Sequence, residues 1–108
     1  MEVQHVSRAS HPSRKTLRLF LDAAPDHPEL SPSARCLWVV LWSLSHPQTG
    51  VAEASLRRLA ACVGLQERRV RGLVRELVDG GFLEQVGRTI EECGGITFAY
   101  RIHAISTA

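Results

Sequence analysis

Six arginines lie within one quarter of the chain, and they carry the clearest chemical signal in the sequence. They are Arg57, Arg58, Arg68, Arg69, Arg71 and Arg75. Over residues 55–78 only Glu67 and Glu76 oppose them, so this quarter has a net charge of +4 while the whole chain carries +2. A guanidinium binds a phosphate, or forms two parallel hydrogen bonds with the O6 and N7 atoms of guanine. The cluster therefore indicates a polyanionic partner.

The other reactive side chains form no pattern typical of a catalytic or metal site. The histidines show no His-x-x-x-His spacing, and Cys36, Cys62 and Cys93 include no Cys-x-x-Cys pair. There is also no Gly-x-Ser-x-Gly motif, no phosphate-binding glycine loop and no nucleophile with a plausible histidine base. We predict no enzyme, no metal and no cofactor. We expect reduced thiols, with Cys36 and Cys62 packed inside and Cys93 exposed in a glycine turn.

A length of 108 residues, 44% of them hydrophobic, predicts one domain with a core of its own. No apolar run approaches the roughly 20 residues that span a bilayer, and the charged N-terminus is followed by no apolar stretch. We therefore expect a cytoplasmic protein that makes no membrane contact.

The N-terminal part, residues 1–29, is predicted to be an arm, a short helix and a proline-rich linker. The first sixteen residues are polar. Leu17, Phe20, Leu21 and Ala24 then recur at helical spacing, although the segment LRLFL also fits a strand. Three prolines in APDHPELSP end this element.

Capping residues mark three further helices. Ser31 is a suitable N-cap before Pro32, and Ser55 is a suitable N-cap for the next helix, which Gly64 ends. The third helix follows at once, and its predicted core face consists of Val70, Leu73, Val74, Leu77 and Val78.

The second and third of these helices have the spacing of a helix-turn-helix. Counted from Leu56, apolar residues occupy the fourth, eighth, tenth, fifteenth and eighteenth positions, where helices crossing near a right angle need them. They are Leu59, Val63, Leu65, Val70 and Leu73. Ala60 supplies a small residue at the close crossing, and Gly64 supplies the left-handed turn.

The last part of the chain predicts a β-hairpin. Its second strand alternates apolar residues, and the turn is Cys93-Gly94-Gly95. The alternating residues are Ile96, Phe98, Tyr100 and Ile102. A further short strand is an option at Val51–Ala52.

Residues 30–103 resemble a winged helix-turn-helix domain of the kind found in bacterial transcription regulators such as the MarR family and in plasmid or phage replication initiators. The resemblance is carried by LSPSAR, by SLRRLAACVGLQERRVRGLVREL and by GGFLEQVG. It implies an α+β winged helix-turn-helix fold, with a three-helix core and a C-terminal β-hairpin wing, after the arm and short helix. A short tail, residues 104–108, follows. It also implies that the third helix enters a major groove with the hairpin beside it.

The candidate DNA contacts lie on and around this third helix. Arg68, Gly72 and Arg75 oppose its apolar stripe, and Gln66 precedes it. A glycine in mid-helix costs about 1 kcal/mol relative to alanine. Close approach to DNA, a packing constraint and chance are the alternatives for Gly72. The complete predicted set is Gln66, Arg68, Arg69, Arg71, Gly72, Arg75, Arg57, Arg58 and Arg88.

The predicted wing departs from a basic, DNA-contacting wing. It offers Arg88 but carries Glu91 and Glu92 near its tip, and these carboxylates would repel phosphates. Either Arg88 alone reaches a minor groove, or the wing faces a protein partner. The arm offers an alternative second DNA contact, because basic arms can enter a minor groove. Its basic residues are Arg8, Arg14, Lys15 and Arg18.

The sequence thus predicts sequence-specific binding of double-stranded DNA by a small bacterial transcription regulator. We expect a homodimer that uses the helix with Leu17, Phe20 and Leu21 or the helix with Trp38 and Trp42. The alternatives are a plasmid or phage replication initiator, a partition or DNA-packaging protein, and a winged helix that binds a protein instead of DNA.

Overall fold

The computed structural model describes residues 13–107. Within them the order of elements is helix α1 (Arg14–Ala23), helix α2 (Pro32–Leu44), strand β1 (Val51–Ala54), helix α3 (Leu56–Val63), helix α4 (Glu67–Asp79), strand β2 (Leu83–Ile90) and strand β3 (Ile96–Ile102). A 3-10 turn, Ala24–Asp26, follows α1. No helix in the described part is long and apolar enough to cross a membrane.

The predicted helix ends are confirmed for α2 and α3. The side-chain oxygen of Ser31 accepts the N–H of Ala34, and that of Ser55 accepts the N–H of Arg58. Gly64 ends α3 with φ 71°, the left-handed conformation in which glycine has no steric penalty. Local capping chemistry therefore sets these boundaries.

The N-terminal helix begins earlier than the polar composition suggests. Ser13 caps it, so Arg14 and Lys15 belong to α1, although the sequence places them in the arm. The segment LRLFL is helical and not a strand. The physical reason is the amphipathic spacing around Phe20, which is 1% exposed. Residues 1–12 of the predicted arm, with Arg8, lie outside the described residues.

The sheet has the strand order β1-β3-β2, and both pairs are antiparallel. The predicted hairpin is confirmed as β2 and β3, and the optional short strand is β1, which extends to Ala54 and pairs with β3. In the register, Ala52 lies opposite Tyr100. An irregularity between Gln85 and Gly87 leaves Val86 as the extra residue of a bulge in β2.

An aromatic cluster joins α1, α2 and the base of the hairpin. The rings of Phe20 and Trp38 stack with centroids 3.8 Å apart, and Phe82 meets Phe20 edge-on at 5.6 Å. The indole Nε1–H of Trp38 donates to the carbonyl oxygens of Phe82 at 3.3 Å and His103 at 3.2 Å. The cluster buries Phe20 and Trp38, so these two side chains are not available for the dimer contact expected of their helices.

Three predicted core positions are wrong. Val78 is 38% exposed, because it lies about 80° around α4 from Val70, at the edge of the apolar stripe. Cys36 and Cys62 are both exposed, since the core faces of α2 and α3 point the other way. Cys93 is exposed in the hairpin turn, as expected.

Candidate nucleic-acid interface

Helices α3 and α4 form the predicted helix-turn-helix. The turn between them starts with Gly64, and the N–H groups of Gly64 and Leu65 both donate to the carbonyl oxygen of Ala60, at 2.8 and 3.1 Å. Leu59, Val70 and Leu73 are fully buried between the helices, and Val63 and Leu65 are partly buried against them. Each predicted apolar position of the motif therefore packs inward.

The outer surface of this unit holds the predicted DNA contacts, and we call it the arginine face. All of its members are exposed: Arg57 and Arg58 on α3, Gln66 before α4, and Arg68, Arg69, Arg71, Gly72 and Arg75 on α4. The buried face of α4 fixes this orientation, because Val70, Leu73 and Leu77 hold the opposite side of the helix in the core.

The charge of the arginine face is not neutralised by neighbouring carboxylates. Among the described residues, the ion pairs of arginine are Arg18 with Asp22 and Arg101 with Glu84, and neither involves α3 or α4. Glu67 and Arg71 are spaced four residues apart on α4, as in a helical ion pair, but they form none. These guanidinium groups therefore keep their donors available for an external anion.

The second acid of α4 is turned away from the arginine face. The carboxylate of Glu76 accepts hydrogen bonds from the backbone N–H of Ser31, at 2.7 Å, and from its hydroxyl, at 3.3 Å. These bonds direct its charge toward the start of α2. The arginine face on α4 is consequently more positive than the sequence of the helix alone indicates.

Gly72 lies in a depression of the arginine face. Apart from the adjoining residues and the backbone of its own helix, a Cβ added there would meet nothing within 4 Å, so no packing contact with another part of the described chain requires a glycine at this position. The depression has a volume of about 300 Å³ and is lined by Gln66, Arg68, Arg69 and Gly72. Of the alternatives for Gly72, the packing constraint is thereby excluded.

Gln66 occupies the N-cap position of α4 without capping it. Its backbone is extended, with φ −77° and ψ 152°, but its side chain forms no capping hydrogen bond. The amide group beside the depression therefore remains available for a ligand, and an amide can pair with the N6 and N7 atoms of adenine.

The wing presents a mixed surface that the sequence pattern did not reveal. Arg88 is exposed and lies opposite Phe98 in the register, and Ile90 lies opposite Ile96 at the end of the hairpin. Ile90 is 67% exposed and Ile96 38%. Alternation in β3 predicts an inward Ile96, but the hairpin extends past the core at this point. The exposed isoleucines were therefore missed.

Of the basic residues predicted as an arm contact, Arg8 lies outside the described residues. Arg14, Lys15 and Arg18 are exposed on α1, whose buried side packs on α2. Within residues 13–107 no group of three or more histidine, cysteine, aspartate or glutamate side chains has the arrangement of a metal site.

A family model described as a helix-turn-helix domain matches residues 29–83, just over half of the chain. The chain belongs to this helix-turn-helix family. A solved structure, a possible transcriptional regulator from Methanosarcina mazei Go1, is similar in fold with a TM-score of 0.55 at 15% identity. The similarity covers 76% of this chain, which spans 63% of the length of that one. A search of curated proteins finds no match.

The helix-turn-helix, the β2–β3 hairpin and β1 together make the fold a winged helix-turn-helix, as the sequence predicts. Domains of this family bind DNA through the second helix of the motif, which is α4 here. The arginine face includes the exposed side of this second helix.

Proposed function

We propose that this protein binds double-stranded DNA sequence-specifically and acts as a small transcription regulator by occupying its site. The observation that carries the proposal is the arginine face: exposed guanidinium groups without ion-pair partners in the described chain surround an outward-facing glycine on the second helix of a helix-turn-helix. Such a surface matches a major groove, in which phosphates line the edges and base edges form the floor.

The residues of the face divide into two roles. Arg68, Arg71 and Arg75 are the principal contacts of α4, and Arg68 lies beside the depression at Gly72, where we expect a base edge to approach. Arg57 and Arg58 project from the start of α3, where backbone phosphates flank a helix-turn-helix. Arg88, on strand β2 of the wing, is the one proposed contact outside the motif.

Alanine replacement of Arg68, Arg71 and Arg75 tests the proposal. The triple variant is expected to lose affinity for DNA and to show a smaller dependence of affinity on salt, since each lost phosphate contact reduces the logarithmic salt slope by about 1. Fluorescence anisotropy of a labelled duplex, measured over a series of salt concentrations, gives both quantities.

Arg101→Ala is the matched control, because it removes one exposed guanidinium that alternates with the buried Tyr100 and Ile102 on β3. Its DNA affinity is expected to stay close to that of the parent protein. If each single alanine variant of the arginine face behaves like Arg101→Ala, DNA does not bind at this face.

Selection of bound duplexes from sheared genomic DNA of the source organism distinguishes the roles that DNA binding allows. An enriched sequence near promoters supports a regulator. Enriched arrays of repeats support replication initiation or partition, and recovery without sequence preference supports packaging. Failure to retain any duplex at low salt would contradict DNA binding itself.

Protein binding at the wing is a second candidate function, and a specific observation favours it. Ile90 is the most exposed of the large hydrophobic side chains in residues 13–107, and Glu91 and Glu92 follow it directly. This surface suits a protein better than it suits phosphates. It is compatible with DNA binding by α4, because the two surfaces share no residue.

A further inference from the structure

The end of the hairpin carries an apolar pair bordered by carboxylates, and we call these four residues the wing tip: Ile90, Glu91, Glu92 and Ile96. Ile90 and Ile96 are direct cross-strand partners, so their side chains lie side by side on one face of the sheet. Both glutamates are exposed. An apolar patch with a charged border is typical of a protein contact, and its charge calls for a basic partner surface.

Helix α1 of this same chain has the complementary character. Its solvent side exposes Leu21 (51%) and Leu19 (39%), together with the side chains of Arg14, Lys15 and Arg18. Arg14, Arg18 and Leu21 are spaced four and three residues apart, so they form one stripe along the helix. Arg18 has only an exposed ion pair with Asp22, which an approaching carboxylate can replace at little cost.

The two surfaces cannot meet within one copy. Helix α1 is held at the base of the hairpin, where Phe20 contacts Trp38 and Phe82. Ile90 lies eight residues after Phe82, at the far end of β2, which is about 26 Å away at the rise of a β-strand. A contact between wing tip and α1 must therefore join two molecules.

We propose that the wing tip of one copy docks on the exposed side of α1 of a second copy. Ile90 and Ile96 pack against Leu21, while Glu91 and Glu92 pair with Arg14 and Arg18. The contact joins two different surfaces, so every copy has one free wing tip and one free α1 surface after it forms. Copies can then follow one another in a single direction instead of closing into a two-fold pair.

A two-fold contact of wing tip with wing tip would bring Glu91 and Glu92 of both copies together, and the repulsion of like charges opposes it. The head-to-tail arrangement also needs neither Phe20 nor Trp38, both of which are buried. Of the residues expected from the sequence to form a dimer contact, it uses Leu21 alone.

The patch is small compared with interfaces of stable complexes, so the contact is weak between free molecules. DNA that holds two copies on neighbouring sites raises their effective concentration and strengthens the contact. Copies bound to tandem sites of the same orientation are therefore expected to bind cooperatively. This consequence rests on the proposed DNA binding, whereas the contact itself does not.

Disulfide cross-linking tests the contact without DNA. Cys93 lies in the wing turn and serves as one partner. Cys36→Ser and Cys62→Ser remove the other native thiols, and Asp22→Cys places a new thiol on α1 without removing Leu21 or an arginine. Mild oxidation of the full chain at high protein concentration is expected to give a ladder of dimers, trimers and higher species on a non-reducing gel.

The matched control is the same chain with Asp22 retained, in which Cys93 alone can form dimers but no ladder. A reaction of the Asp22→Cys protein that stops at dimers, or that gives no product, would overturn the head-to-tail contact. Because the reaction contains no DNA, this failure is separate from a failure of DNA binding.

Charge reversal gives a second test. Glu91→Arg with Glu92→Arg is expected to reduce the yield of the ladder severalfold, and adding Arg14→Glu with Arg18→Glu is expected to restore it. All four positions are exposed, so the substitutions leave the core intact. A ladder that is unaffected by the wing reversal, or is not restored by the compensating reversal, would show that these charges do not pair.

Discussion

The carboxylate of Glu76 on α4 binds the backbone N–H of Ser31 at the start of α2, across 45 positions of sequence. The Ser31 hydroxyl donates to the same carboxylate at 3.3 Å and accepts the N–H of Ala34 at 3.1 Å. One serine therefore caps α2 and ties it to the helix that carries the arginine face. The negatively charged carboxylate of Glu76 also lies at the N-terminus of α2, where the helix dipole stabilises a negative charge.

Glu76→Ala is expected to lower the free energy of unfolding by about 1–3 kcal/mol, because the partly buried N–H of Ser31 loses its acceptor. Urea unfolding followed by tryptophan fluorescence measures this change. The double variant with Ser31→Ala should cost less than the sum of the single variants, since both substitutions remove the same hydroxyl–carboxylate bond.

Glu67→Ala is the matched control, since Glu67 is an exposed acid in the first turn of the same helix. Its loss is expected to cost less than about 1 kcal/mol, the size of an interaction with the helix dipole. Equal effects of the two substitutions would mean that the link between Glu76 and Ser31 does not stabilise the protein.

Trp38→Phe is expected to destabilise the protein by about 1–3 kcal/mol through hydrogen bonding alone. The indole N–H joins α2 to the carbonyl of Phe82, before β2, and to that of His103, after β3. Phenylalanine retains an aromatic surface for Phe20 but leaves both carbonyls without this donor.

Trp42→Phe offers a comparison within the same helix. Trp42 is only partly buried, and its indole N–H donates to a single carbonyl, that of the exposed Ser13, at 2.9 Å. We expect a smaller loss of unfolding free energy in the same urea experiment, and each variant keeps one tryptophan as the fluorescent probe. A larger loss for Trp42→Phe than for Trp38→Phe would contradict the role given to Trp38.

The helix-turn-helix could be predicted from sequence because its constraints are local. Gly64 must adopt a left-handed conformation, Ala60 must be small, and the apolar positions follow from the crossing of two adjacent helices. The exposure of the arginines then follows, since they occupy the side of α4 opposite the core. These features need no information from distant parts of the chain.

Features that depend on distant partners could not be predicted in the same way. Periodicity indicates that Phe20 faces a core, but not that it stacks on Trp38. Nothing in the local pattern around Glu76 indicates that its partner, Ser31, belongs to α2. In the wing, Val86 in the bulge shifts the pairing by one residue, so alternation alone does not give the face on which Arg88 lies.

Gly72→Ala is expected to stabilise the protein by about 1 kcal/mol and to weaken DNA binding. Alanine has a higher helix propensity than glycine, and its methyl group would meet no atom of another part of the described fold within 4 Å. If α4 approaches a base edge at this depression, the same methyl group occupies space that DNA requires. Urea unfolding and anisotropy titration measure the two effects on one preparation.

Gly72→Ala is expected to raise the stability of the protein and to lower its affinity for DNA. The variant is therefore its own control, because a more stable protein cannot lose affinity through misfolding. Unchanged DNA affinity together with raised stability would show that the glycine serves no close approach. Arg71→Ala, at the neighbouring exposed position, reports the effect of losing a contact without adding a methyl group at the depression.

Stability is expected to fall between pH 10 and 12 because of Tyr100. Burial raises the pKa of this phenol from 10.0 to about 12. The folded protein therefore keeps the phenol proton at a pH where the unfolded chain has lost it. This contribution to stability is complete below pH 10 and is lost as the pH rises through about 12, since the phenolate of the unfolded chain must take up a proton before the ring is buried.

Tyr100 is the one tyrosine of the sequence, so the absorbance of phenolate reports its titration directly. The midpoint is expected near pH 12 in the folded protein and near pH 10 in urea. Tyr100→Phe should remove this part of the alkaline loss of stability, and its unfolding free energy should fall less than that of the parent over the same range. A phenolate midpoint near pH 10 in the folded protein would contradict this prediction. It would mean that Tyr100, opposite Ala52 in the sheet, ionises while still buried, and that the core beneath the wing tolerates the charge.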